Sequence, residues 1–302
     1  MTPVGPWLGV ARAPFLVLPL TLVAAGSAAA AYDGGASWTA SILAAIGLVA
    51  LHAAVNAFNE ASDFRTRIDF HTERTPFSGG SGTLPSGALP HRAALVVGWG
   101  GVLVGVAIGA WFLTRVGWPL VPIGLAGLFV ILAYTEVLAR AAVGEVAAGL
   151  GLGLLPVIGS ALVQEGSIGP AAWAASVPAF WMTFNLLLLN EFPDEEADRA
   201  GGRRNLVLVL GRRRAALVYA FAALATPAAI IVSVAIDVLP IVALVAVLPF
   251  LALRGALSWA FTRPDEPVPI PALGANVIWN LATNSVLAAA LFYAAWQGGT
   301  LP

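Results

Sequence analysis

The run SILAAIGLVALHAAVNAFNEASDFRTRID (Ser41–Asp69) begins as uncharged apolar chain and ends in crowded acids and arginines. A second run, TFNLLLLNEFPDEEADRAGGRRN (Thr183–Asn205), follows the same plan. Each turns polar at an Asn with an Asp four residues later, as Asn59–Asp63 and Asn190–Asp194. Only 10% of the 302 residues are charged. Ionisable side chains beside membrane-like sequence are costly, so two matching clusters of them point to function.

The apolar halves of these runs set the fold class. Hydrophobic residues make up 59% of the chain, more than an ordinary soluble domain carries. Apolar stretches of about twenty residues recur from end to end, the length a helix needs to cross ~30 Å of hydrocarbon. The expectation is an all-α, polytopic protein of the lipid bilayer, with residues 1–302 forming a single transmembrane domain. The chain has no Cys, which excludes disulfides, iron–sulfur clusters and thiolate metal sites. A net charge of −1 implies no nucleic-acid partner.

Periodicity and breaks such as YDGGAS, VGWP and EGSIGP predict nine spans around a central cavity. They cover roughly 11–31, 39–62, 92–114, 118–138, 143–164, 170–192, 213–234, 238–256 and 272–296. All basic side chains other than His are Arg, and they sort the loops. With nine spans, only Arg115 falls on one side and the rest on the other. The positive-inside rule then puts the N-terminus in the cytoplasm and the C-terminus outside, in the inner (plasma) membrane. Arg12, an apolar run and SAAAAYDG also fit a cleavable signal peptide, but helix 1 fits the topology and carries Pro14 and Pro19, so retention is expected. The two acidic clusters end spans 2 and 6 on the same side, which reads as a four-helix internal repeat with a ninth helix added.

Residues four apart share a helix face. Asn59 and Asp63 therefore point together, as do Asn190, Asp194 and Asp198, while Pro193 loosens the end of span 6. Asp69 lies in the loop beyond span 2, where it can fold back. Asn carbonyls and carboxylates on facing helices make an oxygen-only set suited to Mg²⁺ and substrate phosphates. Arg203 and Arg204 follow Gly201 and Gly202. Glycine lets backbone approach a phosphate, and Arg forks match its oxygens. Acids for metal and arginines for oxygen, at one membrane face, suggest a diphosphate with a lipid tail.

At these motifs the chain resembles the UbiA superfamily of intramembrane prenyltransferases, whose members carry two Asp-rich motifs on helices 2 and 6 of nine. The resemblance extends to RAPF at Arg12, AYT with Arg140 five residues beyond it, Gly144–Glu145 and Leu210–Gly211. The Asp63–Asp69 spacing, Glu145 and Gln164 look most like the branch that prenylates 1,4-dihydroxy-2-naphthoate. Glu60 stands where the first motif usually has Asp, Glu136 where the branch often has Gly, and the loop RTPFSGGSGTLPSG departs from its usual form. The resemblance implies that Asn59, Asp63, Asp69, Asn190, Asp194 and Asp198 hold Mg²⁺ on a prenyl diphosphate. It implies that Arg203 and Arg204 bind the diphosphate, with Tyr134 and Arg140 beside the leaving group or allylic carbon. Asp63, Asp194, Asp198 and Tyr134 would then be the catalytic set, moving an isoprenyl group to an aromatic acceptor through an allylic cation.

Other polar residues have two readings. His52, one turn before Asn56, is an acceptor-side base or a packing histidine, and Glu145 is an acceptor-side candidate at the cytoplasmic end of span 5. Asn276, Asn280 and Asn284 read as interhelical glue before acceptor contacts. Phe129, Phe180, Trp181 and Phe184 can face a cation, though packing is the commoner role for any one. His71 and Glu73 sit in a loop able to close over the site. Among rival functions, a cation-coupled transporter places its acids near the bilayer midplane instead. A CDP-alcohol phosphotransferase needs a D-G-x-x-A-R element that is absent here. A terpene cyclase or a transferase to a non-aromatic acceptor remains an alternative of the same family.

Overall fold

Each expected span contains a helical rod, and the one in span 4 is shorter than expected. The structure is a computed structural model that describes residues 4–72 and 74–301; Glu73 lies outside the described residues. The rods are α1 (Ala13–Asp33), α2 (Trp38–Thr66), α3 (His91–Val116), α4 (Leu120–Ala133), α5 (Gly144–Glu165), α6 (Pro170–Glu191), α7 (Arg212–Ala235), α8 (Ile241–Thr262) and α9 (Ile270–Gly298). No strand occurs among the described residues. Eight rods are long and apolar enough to cross a membrane; α4 is the shorter one.

At ~1.5 Å per residue, α4 covers about 21 Å, less than the hydrocarbon thickness. The expected span 118–138 leaves regular α-helix at Ala133, although Tyr134 N and Val137 N still donate four residues back, to Val130 O and Ala133 O. Tyr134–Val137 winds through turns into a 3-10 segment, Leu138–Arg140, and the Ala139 carbonyl accepts from Arg204 N at 3.0 Å. Other irregularities have local causes. Pro156 cannot donate to the Leu152 carbonyl; a π-turn spans Leu150–Leu154, and the Thr183 hydroxyl donates to Leu152 O at 3.2 Å. In α8, Ile241–Leu253 is wound as a 3-10 helix and continues as α-helix from Arg254.

Consecutive rods pack side by side, and α9 returns against α1, so the bundle closes into a ring. Helices in lipid gain no hydrophobic drive from each other and associate by close packing. Glycines make this possible. A Cβ on Gly101 of α3 would lie 2.3 Å from Ala50 O of α2, and one on Gly26 of α1 would lie 2.3 Å from Val157 O of α5. Large apolar side chains such as Leu103, Leu125, Phe221 and Leu251 stay exposed on the outer faces, as lipid contact requires. Inside, Asn276 donates to Asn185 O at 3.0 Å, and Tyr219 OH donates to Asn276 Oδ1 at 3.3 Å. These bonds make Asn276 the expected glue between α9 and α6 and α7, whereas Asn284 donates to Asn280 at 3.0 Å within α9 itself.

Candidate active site

The first motif is carried on an unbroken helix. α2 continues through Asn59 and Asp63 to Thr66, where Arg67 adopts a left-handed backbone (φ 64°) and turns the chain back. A one-turn helix, Ile68–His71, then buries Asp69 against the end of α2. Space beside that carboxylate is kept by Gly80 (φ +72°), where a Cβ would sit 2.4 Å from Asp69 Oδ1. Asn59 Nδ2 donates to Asp63 Oδ2 at 2.9 Å, so the two face one way as their spacing predicts.

The second motif breaks where Pro193 stands. α6 ends at Glu191, and a new helix, Glu195–Ala200, begins after Asp194. Asn190, Asp194 and Asp198 nevertheless line one cavity with Asn59, Asp63 and Asp69. The neighbouring acids turn away: Glu195 accepts from Arg199 at 2.9 Å and from Arg212 at 3.1 Å, and Glu196 is exposed.

Arg203 is the centre of the assembly. Its guanidinium donates to Asn59 Oδ1 at 2.9 Å, to Asp63 Oδ1, and to Asp198 Oδ1 at 3.2 Å. Burial alone would lower its pKa, but the facing Asp63 and Asp198 carboxylates outweigh that and hold it raised. Asp198 Oδ2 accepts from Asn205 Nδ2 at 2.9 Å, and Asn205 Oδ1 caps the next helix by accepting from Leu208 N at 2.9 Å. Asp69 Oδ2 and Asp194 Oδ1 are buried without partners. Burial, then the nearest negative Asp, pushes both of these groups up to about 7. Burial also raises Asp198, against the opposing pull of Arg203.

Donor chemistry and orphaned oxygens fit a hard divalent cation. Among the described residues, however, no three acid or imidazole groups converge on a point that could hold one. The guanidinium of Arg203 stands between Asp63 and Asp198 instead.

Several expected contacts lie elsewhere. Asn190 lines the cavity, but its amide donates to the Phe77 carbonyl at 3.2 Å. Arg204 is exposed beyond the cavity wall. Arg140 is not on that wall either; it faces Glu136 at 3.7 Å, while Ser62 and Arg65 donate to the same carboxylate. The Ser62 bond and then the arginines hold Glu136 below its ordinary pKa. Glu145 is fully buried behind the cavity, where it accepts from Leu206 N at 2.6 Å. Glu60, 0% exposed, points away from the cavity and anchors neighbouring chain. It accepts from Arg12 at 2.9 Å and from Ser81 N and Oγ at 2.7 and 2.8 Å. Trp181 packs edge-on against both Phe180 and Phe184, the two Phe rings lie tilted to one another, and Phe129 faces outward.

Three residues that spacing did not single out shape the site. Asn205 and Glu191 lie on the cavity wall, and Phe77 seats its ring 3.1 Å from where a Cβ on Gly274 of α9 would be. Asn205 precedes an apolar run, a cap signal readable in sequence; nothing local marks the other two.

Tyr134 and His52 also line the polar cavity, about 180 Å³ in volume. His52 and Leu152 are shared with an apolar groove of about 420 Å³ between α1, α2, α3, α4 and α5. A charged end joined to an oily groove suits an amphiphile with an anionic head.

Comparison with known proteins agrees with this architecture. A UbiA homolog from Aeropyrum pernix K1 superimposes with a TM-score of 0.72 at 20% identity, covering 93% of this chain and 98% of that one. A UbiA homolog from Archaeoglobus fulgidus bound to GPP and Mg²⁺ gives 0.68 at 15% identity, covering 96% and 99%. The 1,4-dihydroxy-2-naphthoate octaprenyltransferase of Bacillus subtilis is 26% identical over 165 residues, 54% of this chain. The match spans about half of that relative's length, 52%. The model of the UbiA prenyltransferase family matches residues 17–281, which take in both Asp motifs, Arg203 and eight of the nine rods entire or nearly so. The chain belongs to the UbiA prenyltransferase family.

Proposed function

We propose that this chain is a Mg²⁺-dependent membrane prenyltransferase that moves an isoprenyl group from a prenyl diphosphate to an aromatic, quinone-precursor acceptor. The observation that carries the reading is the meeting of both Asp motifs and Arg203 in one cavity that shares His52 and Leu152 with a neighbouring apolar groove. Support for the donor comes from the Archaeoglobus homologue bound to GPP and Mg²⁺. Support for the acceptor comes from the naphthoate octaprenyltransferase relative.

Asn59, Asp63, Asp69, Asn190, Asp194 and Asp198 would hold the metal, which when bound supplies positive charge to the departing diphosphate oxygens. Arg203 offers a fork for those oxygens. Arg140 and Arg204, off the wall, would reach them only by moving. The C–O bond of the donor breaks with its electron pair leaving on diphosphate, and an allylic cation remains. An electron-rich ring carbon attacks it, and the displaced ring substituent departs without the bonding pair. The apolar groove keeps water from the cation. Tyr134, on the cavity wall, would stand beside the leaving group or allylic carbon, His52 on the same wall would border the acceptor, and Glu145 would act from behind it through Leu206. The acid-bearing ends of α2 and α6 would face the cytoplasm of a plasma membrane, with the C-terminus outside.

The test is turnover of labelled prenyl diphosphates by purified protein with a panel of aromatic and non-aromatic acceptors. Product is expected with a dihydroxynaphthoate and Mg²⁺ and not in EDTA. Full turnover in chelator would refute metal dependence, and cyclised product without acceptor would mark a cyclase.

A further inference from the structure

One side chain joins the two halves of the site. Of the two arginines on the cavity wall, Arg12 bonds Glu60 at 2.9 Å, and Arg203 is the one that bonds Asp63 and Asp198 directly. Both oxygens of Asp63 and both of Asp198 are engaged. One of each takes Arg203, and the others take Asn59 and Asn205. Asp69 Oδ2 and Asp194 Oδ1, in the same cavity, have no partner. A divalent cation that drew Asp63 and Asp198 into its shell beside those two oxygens would compete for the ones the guanidinium already holds. A guanidinium does not deprotonate in a protein, so it can yield those oxygens only by moving. The Arg203 backbone is held, with Arg203 N donating to the Asp198 carbonyl at 2.9 Å and Arg204 N to Ala139 O at 3.0 Å, so the movement is one of the side chain.

What would draw Arg203 away is a ligand that offers more than the two carboxylates do. Phosphate oxygens match a guanidinium in bidentate fashion, and a metal arriving on a diphosphate would return cationic charge to Asp63 and Asp198 as Arg203 leaves. A cation arriving alone gives Arg203 no new partner, and would strand a half-buried guanidinium.

We infer that Arg203 is an internal counter-ion that makes metal binding depend on the diphosphate. Metal alone competes with Arg203 for Asp63 and Asp198; metal carried with a diphosphate displaces it onto the phosphate oxygens. The inference rests on the proposed reading of the site as one for metal and diphosphate, and it adds an order of loading to it.

The test is titration of the purified full chain with Mn²⁺, followed by electron paramagnetic resonance, with and without inorganic pyrophosphate. A protein-free series corrects for Mn²⁺ held by pyrophosphate itself. Wild type is expected to take up Mn²⁺ at least about tenfold more tightly with pyrophosphate than without, the factor 1.4 kcal/mol represents. Arg203→Gln should bind Mn²⁺ alone at least about tenfold more tightly than wild type does, by the same conversion, and should lose most of the pyrophosphate effect. Arg203→Lys, which keeps the charge, should stay near wild type for Mn²⁺ alone. Equal Mn²⁺ affinity of wild type and Arg203→Gln overturns the inference even if the enzyme turns over. Should Arg203→Gln fail to fold, the wild-type pair of titrations decides. Binding of Mn²⁺ that pyrophosphate does not strengthen overturns the inference there too. If wild type bound no Mn²⁺ under either condition yet prenylated its acceptor in EDTA, the metal-dependent reading beneath it would fall instead.

Discussion

Asn205 offers the sharpest separation of a structural role from a catalytic one. Its Oδ1 caps the helix Leu206–Leu210 and its Nδ2 holds Asp198, with both bonds at 2.9 Å and the residue 3% exposed. Asn205→Ala removes both. Loss of an N-cap costs about 1 kcal/mol. A lost hydrogen bond to a buried charged acceptor costs roughly 1.5–3 kcal/mol more. Asn205→Ser keeps a good cap, but its shorter hydroxyl cannot also reach Asp198. It should therefore recover about 1 kcal/mol of stability relative to the Ala variant and none of the support to Asp198. Thermal unfolding in detergent reads the first effect. The metal concentration needed for half-maximal turnover reads the second, because an Asp198 freed from Asn205 pairs more closely with Arg203 and is harder for a cation to claim. Both variants should require several-fold more metal, and only Ala should unfold markedly earlier. Wild-type metal dependence in Asn205→Ser, with a defect in Ala alone, would show that the contact with Asp198 is idle and only the cap matters.

Other outcomes follow from the same geometry. Asp194→Asn and Asp198→Asn should abolish turnover in protein that still inserts and purifies, whereas Glu195→Gln and Glu196→Gln should keep most of it; an inactive Glu195→Gln at equal expression would refute the assignment of faces. Asp69 and Asp194, raised to about 7 by burial, keep protons in the folded chain that the unfolded chain loses near its ordinary 3.8. The folded state therefore binds more protons between these values, so metal-free protein should become less stable as pH rises from about 4 to 7 and level off above. Binding of Mg²⁺ with pyrophosphate should strengthen over the upper part of that range, and a stability that rose with pH in chelator would contradict the shifts. Glu60→Gln should lower thermal stability by about 3 kcal/mol, since it breaks a buried ion pair, while turnover per folded molecule stays near wild type; a specific loss of turnover would return Glu60 to the site.

How much of this was readable in advance depends on how local each cause is. The all-α membrane class follows from apolar run length, since a helix that satisfies its own backbone is the natural way for such a run to lie in lipid. The pairing of Asn59 with Asp63 follows from helical periodicity, because α2 is unbroken there. Asp194 and Asp198 reach the cavity by a different route, through a helix break at Pro193 and a restart, yet the same residues arrive. Span 4 is shorter than its hydropathy suggests, because apolar character continues past Ala133 while the regular helix gives way to turns that lead to Ala139, where the carbonyl is held by Arg204 N.

Side-chain direction and long-range charge pairing left less trace. Glu60 is adjacent to Asn59 in sequence, but one residue along a helix is a rotation of about 100°, which turns its carboxylate toward Arg12 and Ser81. Arg203 and Arg204 look equivalent as letters, and Arg140 looks as well placed as either. Which guanidinium enters the cavity depends on how the Gly201–Asn205 loop is pinned, by Asn205 to Asp198 and by Arg204 N to Ala139 O. Runs of sequence name the elements and the acids, because length and period are properties of a segment. Only the closed ring of helices decides that two clusters more than a hundred residues apart meet on one half-buried arginine, because that contact belongs to no segment alone.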